Sequence, residues 1–201
     1  MNPALLFKVS ATSAVLAVAI FVLGCVNNSP VESAFVDVGI NTVILELTNV
    51  ESGEPTTYQW QVTDGELQVD RVNLVAGVNY AGEVSFLDTL GVDLTNDIAQ
   101  SPEEFLVSYG LLGGLIDSLI FNITDMESDY VGGNQNGNNL NVGLKFYMTF
   151  FATITSNAEL RVTLNHYDRI TKNDTNAGDN IFIEVGFPLT IEIVEEEPTD
   201  P

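Results

Sequence analysis

From about Asn41 onward the chain alternates apolar and polar residues with a period of two, the spacing of strands with one buried face. Thr42-Val43-Ile44-Leu45-Glu46-Leu47-Thr48 is β-branched and strand-like. Thr56 to Val62 places Tyr58, Trp60 and Val62 on one face, after the turn chemistry of Glu51-Ser52-Gly53-Glu54-Pro55. Asp64-Gly65 ends that strand, and Leu67 to Leu74 reads as a short third one. Ala76-Gly77 turns the chain into Val78 to Leu87. Further strands are predicted at 115–124, 143–154, 159–166 and 181–194. One helix is expected near 94–105, capped by Thr95 and stopped early by Pro102. Pro188 predicts a sheet edge or a bulge.

Many strands separated by turns, without alternating long helices, predict an all-β fold: an antiparallel β-sandwich, Ig-like or jelly-roll-like, with at most one short helix. The expected organisation is a leader over 1–24, a linker over 25–40, the sandwich over 41–194 and an acidic tail over 195–201. The Asn- and Gly-rich stretch 132–141 reads as an exposed hairpin tip.

The first residues follow a different pattern. Lys8 and the amino terminus supply positive charge, an apolar run extends from Val9 to Leu23, and Gly24 is a small residue of the kind found at a cleavage site. Val22-Leu23-Gly24-Cys25 resembles the bacterial lipobox, which is cut before a Cys that carries diacylglycerol. The resemblance implies cleavage between Gly24 and Cys25 and lipid attachment at Cys25, the only Cys in the chain. The alternative is an uncleaved membrane-spanning helix, for which the run is near the lower length limit. Neither an Asp after Cys25 nor an acidic run is present there, so the resemblance implies the outer membrane, periplasmic face, with the cell surface still open.

Charge narrows the functions. With 28 acidic and 6 basic side chains the net charge is −22, which repels phosphate backbones and excludes nucleic-acid binding as a main role. At 45% apolar residues the chain is nonetheless too hydrophobic to be a disordered acidic tail. One Cys and one His leave no set for a zinc centre.

The order of several segments resembles a family of small Gram-negative outer-membrane lipoproteins. The carriers are Val43 to Thr48, Leu74 to Tyr80, Asp93 to Ile98 leading to Glu103-Glu104, Glu159 to His166, and Thr175 to Gly178 before Ile183 to Val185. The resemblance implies location and no particular activity. The type 1 periplasmic-binding fold sometimes attached to that family needs repeated βαβ units, and this pattern offers none. Unlike the family, the chain has no acidic stretch ending in His near Phe105, and it has Asn134, Asn136 and Asn138 where an Asp-rich loop is usual.

Asp125, Glu127 and Asp129 stand at alternate positions, and calcium takes six to eight oxygens. They are the candidate metal ligands, with Asn134, Asn136 and Asn138 as further oxygen donors; Tyr130, where a calcium loop needs Gly, argues for a solvated loop instead. Residues 172–180 form a second polar loop explained by turn chemistry. His166 is the only histidine, and no nucleophile elbow accompanies it, so no catalytic residue is expected. Trp60, Tyr58, Phe146, Tyr147, Phe150 and Phe151 fit core packing better than a sugar platform. Alternation nevertheless sends Tyr147 and Phe151 away from Phe146 and Phe150, and a face made apolar on both sides calls for a partner.

These features predict a non-catalytic, lipid-anchored binding or accessory module at the outer membrane. Its partners are the membrane itself, through the anchor, and an envelope protein such as a transporter. The alternative is a calcium-dependent carbohydrate-binding module.

Overall fold

The computed structural model describes residues 39–193 except 114–118, 134–136, 153, 169, 174–177 and 179. The leader, Gly24, Cys25, most of the linker and the acidic tail lie outside the described residues.

The strands run β1 (Ile40–Asn49), β2 (Pro55–Thr63), β3 (Glu66–Val69), β4 (Val72–Val75), β5 (Asn79–Asp88), β6 (Phe105–Leu112), β7 (Leu119–Ile123), β8 (Lys145–Phe150), β9 (Ile154–His166) and β10 (Asn180–Glu192). A helix of six residues, α1 (Thr95–Gln100), joins β5 to β6. One sheet has the order β3-β2-β1-β5-β8-β7 and the other β4-β10-β9-β6. The fold is an all-β sandwich, as the alternation predicts.

Alternation builds its interior directly. Val43, Leu45 and Leu47 from β1, Val84 and Phe86 from β5, and Phe146, Met148 and Phe150 from β8 line the inner face of the larger sheet. Leu160, Val162 and Leu164 from β9, with Val185, Phe187, Leu189 and Ile191 from β10, meet them from the smaller sheet. Each such side chain taken from water contributes about 1.5–3 kcal/mol. Asp64 and Gly65, both at positive φ, form the two-residue turn that joins β2 to β3.

Several elements depart from the expectation. The single strand predicted over 67–74 is two strands in different sheets. At Asp70 the backbone exchanges a hydrogen bond with Gln59 and the carboxylate accepts the Gln59 N–H, ending β3 against β2. Val72 and Leu74 then enter the opposite sheet, where β4 pairs with β10 in parallel, so the sandwich is not wholly antiparallel. Strand β6 has no counterpart among the strands that the alternation predicts. Its partner β9 pairs with it along Phe105 to Leu112.

The helix forms where expected, but Thr95 does not cap it. The Thr95 hydroxyl accepts the Phe86 N–H at 3.0 Å, tying the helix to β5. Pro188 sits one residue before the β4 ladder begins, where β10 is paired only with β9, and a register shift follows between Leu189 and Ile191. The proline thus stands at a local sheet edge, and the register shift lies beyond it.

Candidate functional site

The alternating acids Asp125, Glu127 and Asp129 do not share a site. Asp125 is buried, and its carboxylate accepts the N–H groups of Gly143, Leu144 and Lys145 at 2.9–3.1 Å and the Tyr130 hydroxyl at 2.7 Å. It is a clamp that sets the chain's path into β8. Burial, then the hydrogen bond to Asp125 and its charge, push the Tyr130 hydroxyl well above the ordinary tyrosine range.

Asp129 closes a short 3-10 turn over Glu127–Asp129 by accepting the Met126 N–H at 2.8 Å. Glu127 is equally committed. It lies 3.2 Å from Lys172 Nζ with both side chains almost fully buried, and the ammonium donates to the Pro102 carbonyl at 2.6 Å. Removing one member would strand the other charge in a dry site. Among the described residues no three Asp, Glu, His or Cys side chains are grouped to hold a metal ion. The geometry thus assigns these acids to loop architecture and gives no support to the expected metal site. Of the further donors named with them, Asn134 and Asn136 fall outside the described residues, as does most of the second polar loop.

His166 is 3% exposed and packs against Phe105 and Phe182 at ring distances of 4.9 and 4.8 Å, the two phenylalanines meeting each other at 5.8 Å. Its Nδ1 has no hydrogen-bond partner among the described residues, and Nε2 lies 3.9 Å from a Glu104 oxygen. Among the described residues it is part of a three-ring cluster and almost wholly covered.

The aromatics divide as alternation requires. Tyr58 is buried and donates to the Asn73 carbonyl, and Trp60 packs partly against the core. On β8, Phe146, Met148 and Phe150 are buried, while Tyr147 is 49% and the following Phe151 60% exposed. Gly82 makes room for Phe146, whose ring lies 2.1 Å from where a Cβ would stand. That ring meets Phe121 and Tyr109 at 4.7 and 4.5 Å, so three aromatics from both sheets back the strand from beneath.

Above that packed layer, on the outer face, lies an open cleft of about 470 Å³. Tyr147 and Phe151 line it with Val50 from the turn after β1 and Ile120 from β7. The strand register explains its shape: Tyr147 is flanked by Ala81 on β5, too small to cover the ring, and by Asn122 on β7. Asn79 and Ile120 flank Thr149 in the same way, and the Thr149 hydroxyl donates to the side-chain amide oxygen of Asn79. Among the described residues no charged side chain lines the cleft. A second, polar depression adjoins it at Tyr147, bounded by Glu46 and by the exposed Lys145–Glu83 pair at 3.3 Å.

The sequence pattern pointed to Tyr147 and Phe151 but not to Val50, Ile120, Asn79 and Asn122. Those four belong to the site through cross-strand register, which no single segment reveals. In comparison with known proteins, no family model, curated protein or solved structure matches the chain.

Proposed function

We propose that this chain is a lipid-anchored, non-catalytic binding or accessory module of the Gram-negative outer membrane, held at Cys25 and working through the outer face of its six-stranded sheet. The observation that carries the binding role is the cleft around Tyr147. Concave, mainly apolar and edged by a few convergent polar groups, it has the make-up of a ligand site on a rigid scaffold.

The anchor rests on the lipobox-like Val22-Leu23-Gly24-Cys25. More than one acyl chain is needed for firm hold, at about 0.8 kcal/mol per buried methylene. Confinement to a membrane surface raises the effective concentration of the cleft near an envelope partner such as a transport protein. The burial of His166 in a cluster with two phenylalanines supports the non-catalytic half of the reading.

Envelope fractionation tests the whole. The native chain is expected in the outer-membrane fraction, with Cys25→Ala released into or retained unprocessed outside it. A photo-crosslinking residue at position 147 is expected to give adducts in the envelope that a control at exposed Leu67 does not. Equal distribution of the native and Cys25→Ala chains, or identical crosslinking at both positions, would contradict the proposal.

A further inference from the structure

We infer that the Tyr147 cleft binds a neutral saccharide. This rests on the binding role proposed above and names the ligand class of the same site.

A sugar ring presents apolar C–H faces and a rim of hydroxyls that both donate and accept. Its receptor therefore needs an exposed aromatic face beside uncharged groups of mixed donor and acceptor character. Tyr147 supplies the ring, half exposed, on a strand whose neighbouring residues Phe146 and Met148 are buried in the core. Asn122, opposite Tyr147 in register, offers an amide with no hydrogen bond to the described residues, and so does the Tyr147 hydroxyl. The Asn79 amide is oriented by the Thr149 hydroxyl, which occupies its oxygen and leaves its N–H groups as donors. Phe151 and Ile120 extend the apolar floor. The cleft volume falls within the roughly 300–1,000 Å³ of small-molecule sites.

Charge selects among occupants. The chain carries −22, yet among the described residues the cleft lining has no ionic group. An anionic polysaccharide or an acidic lipid headgroup meets the field of the whole protein and finds no cation in the cleft. A cationic ligand finds no carboxylate there. A second copy brings the same −22 to the interface and opposes itself. A neutral ligand that is apolar on one face and hydroxylated at its edge satisfies both the apolar floor and the amides. A purely apolar chain would leave Asn79 and Asn122 desolvated and unpaired.

The test is calorimetry on the full-length chain in a detergent without a sugar headgroup. The probes are neutral gluco-, manno- and xylo-oligosaccharides, set against oligogalacturonides. Saturable heat is expected with at least one neutral series and none with the charged one. Tyr147→Ala is expected to weaken binding roughly tenfold or more, as for an aromatic anchor, and Asn122→Ala to weaken it also. The melting temperatures of both variants should stay near that of the native chain, separating lost binding from lost fold.

No heat with any neutral series overturns the inference. So does binding that survives Tyr147→Ala, or a dimer in sedimentation that Tyr147→Ala dissolves. Position-147 crosslinks to an envelope protein, without saccharide binding, would overturn the ligand class while leaving the binding role standing.

Discussion

Phe146 and Tyr147 are consecutive residues of β8 that face opposite sides of one sheet, the first 1% and the second 49% exposed. Truncation should separate them. Phe146→Ala removes a ring from a three-aromatic cluster and is expected to destabilise the fold by about 3–5 kcal/mol. Tyr147→Ala is expected to stay within about 0.5 kcal/mol, because it leaves no cavity. Denaturant unfolding of the two variants checks both, and a large loss at position 147 would move that ring into the structural frame.

Asp125 holds three backbone N–H groups and a phenol, and a clamp of that kind behaves differently from a metal ligand. Asp125→Ala leaves buried donors without acceptors and is expected to cost about 3 kcal/mol or more. Added calcium or chelator is expected to leave the melting temperature of the native chain unchanged. A calcium-dependent rise would restore the acids to a metal site.

Alkaline titration reports on two partly buried phenols, Tyr109 and Tyr130. Tyr109 is raised well above its usual 10.0 by burial first and then by the charges of Asp125 and Tyr130; Tyr130 is raised by burial and by Asp125. In both, the unfolded chain loses its proton near pH 10 while the folded one keeps it. Their contribution to stability is therefore intact below pH 10 and lost as pH rises above it. For Tyr109 the slope is about 1.4 kcal/mol per pH unit. Unfolding measured from pH 8 to 11 should show the decline, and Tyr109→Phe should make it shallower. A stability independent of pH over that range would contradict the burial.

The acidic surface sets a salt response. Among the described residues Lys145, Arg161 and Lys172 are each paired with a glutamate, which leaves most carboxylates facing one another through solvent. Raising ionic strength from 0.01 to 0.15 M shortens the screening length from about 30 to about 8 Å. The melting temperature is expected to rise by a few degrees. A flat or falling curve would show that repulsion does not limit stability.

Much of the sandwich was legible because period-two alternation survives wherever one face is buried, as in Val43, Leu45 and Leu47. It failed where tertiary pairing overrides local pattern. Nothing local says that Asp70 ends one sheet and that Val72 starts the other, or that Phe105 to Leu112 is a strand against β9. The acids misled for a related reason. Their two-residue spacing suits a metal loop, but Asp125 faces the N–H groups of residues 143–145 and Glu127 faces Lys172, partners distant in sequence. The cleft was half visible: the aromatic alternation of β8 announced Tyr147 and Phe151, while Asn79, Asn122, Ile120 and Val50 join them only through the sheet.

The proposed anchoring at Cys25 would decide where the cleft works, and mass spectrometry of the N-terminal peptide tests it most directly. The expected result is a mature chain beginning at residue 25, its thiol joined to diacylglycerol and its amine acylated. A free thiol at Cys25, or a peptide still carrying Met1 to Gly24, would contradict the account.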